Sequence, residues 1–175
     1  LTFLGTFSLA QDFSNKGKEF WVAYPSHIDG TNSVMGLYFT STEAAIVNVV
    51  AAGVPLPPVT VTPNQVQRVF LGGAGNPTNT GVYLTASDGI KSGAAIKISS
   101  DKNIVVFSHI IRSARSGATL VLPTNVLGIE YIVPSYGSKT TSGAGSAISE
   151  FAIVATQPNT QIEITPTVNK VSSGR

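Results

Sequence analysis

Ala45-Ile46-Val47-Asn48-Val49 alternates with period two, the period of an extended strand and not of a helix. The same alternation spreads outward in both directions. It predicts strands at 19–24, 34–40, 46–51, 59–62, 65–71, 82–85, 95–99, 104–111, 119–122, 130–133, 148–155 and 161–165. Turn signals separate them: Asp29-Gly30, Thr62-Pro63-Asn64, Gly72-Gly73-Ala74-Gly75-Asn76-Pro77, Ser87-Asp88-Gly89, Ser100-Asp101-Lys102-Asn103 and Gln157-Pro158-Asn159. No window carries a long amphipathic helix, and a single helical turn near 124–127 is the most the pattern allows. Short strands at regular spacing predict an all-β fold, an antiparallel β-sandwich, with a propeller-like set of repeated sheets as the alternative.

Composition agrees with that architecture. The chain has 175 residues, of which 42% are hydrophobic and only 11% charged, so Ser, Thr, Asn and Gly supply the polarity. That mix suits strands and turns better than solvated helices. The net charge of +2 comes without a Lys/Arg cluster, so nucleic acid is not an expected partner. With no cysteine, disulfides, thiolate nucleophiles and cysteine metal sites are excluded.

Residues 1–10, LTFLGTFSLA, read as the remnant of a signal peptide. Ser8 and Ala10 are small where a signal peptidase needs small side chains, and Gln11 would be the new N-terminus. No initiator methionine or basic segment precedes the run, so the sequence reads as starting inside that peptide. The run is too short to span a membrane, and no other approaches that length. The expected location is secreted or cell-surface.

Two parts of the chain look like copies. Gly17-Lys18-Glu19-Phe20-Trp21-Val22 resembles Gly128-Ile129-Glu130-Tyr131-Ile132-Val133. Leu37-Tyr38-Phe39-Thr40-Ser41-Thr42 then corresponds to Phe151-Ala152-Ile153-Val154-Ala155-Thr156, and Ala45–Val49 to Thr160-Gln161-Ile162-Glu163-Ile164. The expected organisation is a first β module over 11–127 and the start of a duplicated second module over 128–175.

Residues 17–24 (GKEFWVAY), 98–107 (ISSDKNIVVF) and 116–136 (SGATLVLPTNVLGIEYIVPSY) together resemble the N-terminal domain family of the IgGFc-binding protein, in the form found in secreted surface proteins of Bacteroidetes. The resemblance covers roughly 12–165. Its most specific piece is Leu120-Val121-Leu122-Pro123-Thr124 followed by Leu127-Gly128 and Tyr131. It implies an extracellular, modular, β-rich domain of adhesin-like bacterial surface proteins. It carries no catalytic motif.

The residues themselves offer little chemistry. Ser99-Ser100-Asp101-Lys102 fits S-x-x-K, but that nucleophile needs a helix start and here falls between strands. Gly72-Gly73-Ala74-Gly75 lacks the Lys-Ser/Thr of a phosphate loop. His27 and His109 share no motif spacing, and the carboxylates are scattered, so no metal site, cofactor or catalytic residue is assigned. Arg112 and Arg115, in an expected loop after an apolar strand, are candidates to grip a carboxylate or an anionic glycan through paired hydrogen bonds. Trp21 is the third candidate: Phe20 and Val22 fall on one face of their strand, Trp21 and Ala23 on the other. One face should be core, the other a second layer or a partner surface.

The expected function is therefore a non-catalytic adhesion or binding module for a protein or glycan on a host, a matrix or a neighbouring cell. A structural spacer repeat of a large surface protein is the alternative. A fragment of a carbohydrate-active enzyme is the third reading.

Overall fold

The computed structural model of the protein describes residues 14–25, 27, 32–72, 82–84, 89–134 and 151–166. The expected signal-peptide remnant, the expected Asp29-Gly30 turn and most of the expected glycine-rich turn after Gly72 lie outside the described residues.

Among the described residues the fold is all-β, with eight strands in one curled antiparallel sheet. They are β1 (Gly17–Val22), β2 (Val34–Thr40), β3 (Ala45–Ala51), β4 (Val54–Pro55), β5 (Val59–Val61), β6 (Val66–Gly72), β7 (Ile96–Arg112) and β8 (Arg115–Val121). A short 3-10 turn at Thr124–Val126 follows, where the sequence allowed one helical turn.

β7 organises everything. Its first half lies between β1 and β3, with Ile98 opposite both Phe20 and Val49. Its second half lies between β2 and β8, with Val106 opposite Phe39 and Val121. The strand thus passes from one layer to the other, and the sheet closes over a core as a sandwich does. Phe20, Val22, Val47, Val49, Ile96 and Ile98 bury their side chains from one layer. Leu37, Phe39, Leu71, Ile104 and Val106 meet them from the other.

The expected turn at Ser100–Asn103 does not form, and two expected strands are one. Polar residues sit there because that is where β7 changes layers. The ladder to β3 ends at Val47 opposite Ser100, and the next donor, Ile46 N, donates instead to Asp101 Oδ1 at 2.7 Å. From the other layer, Ser41 Oγ donates to Asn103 O at 2.9 Å. Side chains satisfy the backbone where strand pairing switches.

β4 lies outside the strands that the sequence predicts. Ala52 (φ 50°) and Gly53 (φ 78°) both take positive φ, the geometry of a two-residue type I′ hairpin. After it, Leu56 N donates to Val49 O, and Pro57 and Pro58 interrupt the edge before β5. Proline has no N–H to offer a foreign strand, so this edge is protected from edge-to-edge pairing.

In the described part of the expected strand at 82–85, residues 82–84, only a bridge between Tyr24 and Tyr83 forms. Residues 130–133 and the described parts of 148–155 and 161–165 make no ladder.

Tyr24 is buried, and its hydroxyl donates to Gly36 O at 2.8 Å. Burial pushes its pKa well above the ordinary 10.0. Above that pH the unfolded chain sheds a proton that the folded chain keeps, so stability falls as pH rises, by up to about 1.4 kcal/mol per pH unit. Urea melts at pH 8 and pH 11 should show a larger loss for the wild type than for Tyr24→Phe. At pH 8 the variant should itself be weaker by about 1–2 kcal/mol, because Gly36 O loses its hydroxyl partner.

Candidate binding face

Strand alternation decides which residues face out. In the layer β6-β2-β7-β8, the side opposite the core carries three registered rows. Arg68, Tyr38, Phe107 and Leu120 form one row across the four strands. Phe70, Gly36, His109 and Ala118 form the next. Val66, Thr40 and Val105 form a third.

This face is apolar and open. Phe107 is 43% exposed and Phe70 39%, in a sheet whose opposite side buries Leu37, Phe39, Leu71 and Val106. Gly36 makes room for Phe70: a Cβ at that position would stand 3.3 Å from Phe70 Cδ1. The ring therefore lies down over the neighbouring strand. The Arg68 guanidinium sits 5.1 Å from its centroid, a cation–π distance. Tyr38 and His109 meet edge to face at 6.2 Å between centroids. Arg68 is the only Lys, Arg, Asp or Glu in the three rows.

Phe70 also belongs to a groove of about 300 Å³ between the β4–β5 edge and β6, lined by Leu56, Pro57, Pro58, Val59 and Val69. The aromatic face thus continues around a sheet edge into an apolar, proline-walled notch. Such a surface can bury apolar side chains of a partner and orient a carboxylate at Arg68. It places no acid–base pair.

The three residues singled out from sequence are in two other places. Arg112 and Arg115 are direct cross-strand partners beside a tight turn in which Ser113 has φ 52°. The expected loop is a hairpin tip. Both arginines fall on the same side of the hairpin as Ile110 and Gly117, opposite the side of Phe107. Trp21 is on the other layer, with Phe20 and Val22 of its strand forming the core face. Its ring is covered in part by Lys97, whose Nζ stands 5.4 Å from the centroid and 3.3 Å from Glu19 Oε2. Its indole Nε1 is enclosed without a hydrogen-bond partner. The fold brings the two arginines together and leaves the tryptophan apart.

Ser99 and Lys102 both lie on β7, where an odd separation puts side chains on opposite faces, so the S-x-x-K pairing has no geometry. His27 is held by the fold: its Nδ1 lies 2.7 Å from Ser33 Oγ, and Tyr83 Oη donates to its carbonyl at 2.7 Å. Among the described residues no group of three or more His, Asp or Glu could hold a metal ion. No described helix is long and apolar enough to cross a membrane.

The sequence did hold a sign of the aromatic face. In Val105-Val106-Phe107 and Leu120-Val121-Leu122 both parities are apolar, which an ordinary half-solvated strand avoids.

Residues 117–175 match the family described as IgGFc binding protein. The match begins inside β8 and takes in the 3-10 turn and all that follows, a shorter span than the 12–165 of the resemblance. A family of that description points to a binding module. No curated protein and no solved structure matches the chain.

Proposed function

We propose that this chain is a non-catalytic binding module of a secreted or cell-surface protein, and that it takes a protein partner on the outer face of the β6-β2-β7-β8 layer. The open row of Tyr38, Phe107 and Leu120, with Phe70 beside it, carries the reading. Aromatic residues clustered on a rigid sheet supply large contact area at small entropic cost, and such residues dominate binding energy at interfaces. The family description of residues 117–175 supports a protein partner and supplies the first probe, immunoglobulin Fc. The apolar Leu1–Ala10 run and the low charge support an exported chain. The twin arginines of the hairpin tip are the proposed site for an anionic glycan, should the partner be of that class.

The test is surface plasmon resonance of the 175-residue chain against Fc fragment and against sialylated and sulfated glycans. Fc binding that weakens at least tenfold in Phe107→Thr/Leu120→Thr, with Arg112→Ala/Arg115→Ala unchanged, is the expected result; tenfold is about 1.4 kcal/mol. Glycan binding lost only in the arginine variant would overturn the protein-partner reading. Binding to neither probe would overturn the function itself.

A second reading, a structural spacer in a repeated array, is favoured by the strand-like residues 128–134 and 151–166, which make no ladder.

A further inference from the structure

Residues 128–134 and 151–166 are rich in strand-forming side chains and make no ladder, and their apolar residues face solvent. Tyr131 is 65% exposed, Phe151 53% and Ile162 49%. The first half of the chain explains why. Superposing the two sequence copies pairs Tyr131 and Val133 with Phe20 and Val22 of β1. It pairs Phe151 and Ile153 with Leu37 and Phe39 of β2, and Ile162 and Ile164 with Val47 and Val49 of β3. Every exposed residue of these six corresponds to a buried core residue. The outward positions correspond too: Glu130 to Glu19, and Glu163 to Asn48.

In the first copy β1, β2 and β3 never pair with one another. Among the described residues β1 pairs β7 and bridges Pro123, β2 pairs β7 and β6, and β3 pairs β7, β4 and β5. Three such strands without counterparts of β4 to β7 have no backbone partner, whatever their propensity. That is the state of residues 128–134 and 151–166.

Gly128 gives an independent sign. At Gly17 a Cβ would fall 2.3 Å from Pro123 Cβ, so glycine is required there for β1 to lie against Pro123. At Gly128 a Cβ would meet nothing nearer than 3.8 Å, and its φ is not left-handed. Nothing around Gly128 calls for glycine, whereas a second module with its own Pro123 equivalent would.

We infer that residues 128–134 and 151–166 are the β1, β2 and β3 of a second module, and that the surface they present is built to take one β7-type strand. Its chemistry is set by the first copy. It alternates Ile and Val toward Tyr131, Phe151 and Ile162, and places a lysine diagonally across from Glu130, as Lys97, opposite Trp21, reaches Glu19. A second copy of this chain cannot donate its β7, because both edges of that strand are already paired over its own core. The strand must come from another segment of β7 type.

The experiment appends a copy of residues 54–122 after Arg175 and follows backbone hydrogen exchange and urea unfolding, with the 175-residue chain as reference. The expected result is at least 100-fold slower exchange at 131–133, 151–154 and 162–164, and a second unfolding transition. Changing the appended counterpart of Ile98 to Asp, or Phe151→Ser/Ile162→Ser, should remove both while the first transition persists. Exchange at 128–166 that stays unprotected in the extended chain, with the first module folded, would overturn the inference.

Discussion

Val106→Asp should leave no cooperatively folded protein, while Phe107→Thr, one residue along the same strand, should unfold within about 1 kcal/mol of the wild type. Val106 is wholly buried, opposite Phe39 on one side and Val121 on the other. A carboxylate there has no cation within the apolar core and costs several kcal/mol to desolvate. A domain of this size is stable by only about 5–15 kcal/mol. The strand affected is the one that both layers share, so no half of the sheet survives its loss. Phe107 points the other way, and Thr keeps the strand propensity at a site that is 43% exposed. Circular dichroism with urea titration separates the two outcomes. A folded Val106→Asp would mean that β7 does not carry the core.

The pair also marks what the sequence could reveal. Period-two alternation predicts faces well, and the predicted strands around Leu37, Val47 and Val69 are all strands in the fold. It cannot tell whether a polar interruption ends a strand or bends it. Ser100–Asn103 has the composition of a turn, but its side chains replace ladder bonds at the crossing between layers. Only the three-dimensional partners, Ser41 and Ile46, distinguish the two cases. The same limit hid the aromatic face: Tyr38, Phe70 and Phe107 are far apart in sequence, and registry alone sets them side by side. For the arginines, sequence placed Arg112 and Arg115 close together, which the hairpin makes literal, but gave no means of seeing which side of it they occupy.

Extended segments after Leu127 show a further limit, since strand propensity is a property of residues and a strand is a property of pairs. Phe20→Ala and Tyr131→Ala measure the difference, because the two aromatic residues hold equivalent positions in the two sequence copies. Phe20 is fully enclosed between layers, and β1 is tied at that residue to Ile98 of β7 and by a bridge to Pro123. Removing its ring opens a cavity at the centre of the core and should cost roughly 3–5 kcal/mol. Tyr131 is 65% exposed and packs in no core. Its truncation should change the unfolding free energy by less than about 0.5 kcal/mol. Urea midpoints of the two single variants check both figures, and a cost above 2 kcal/mol for Tyr131→Ala would show that residues 128–134 already pack against the first module. In a chain extended by a β7-type strand the two costs should converge. The second aromatic ring then gains the enclosure that the first already has, and the same substitution acquires the same physical cause.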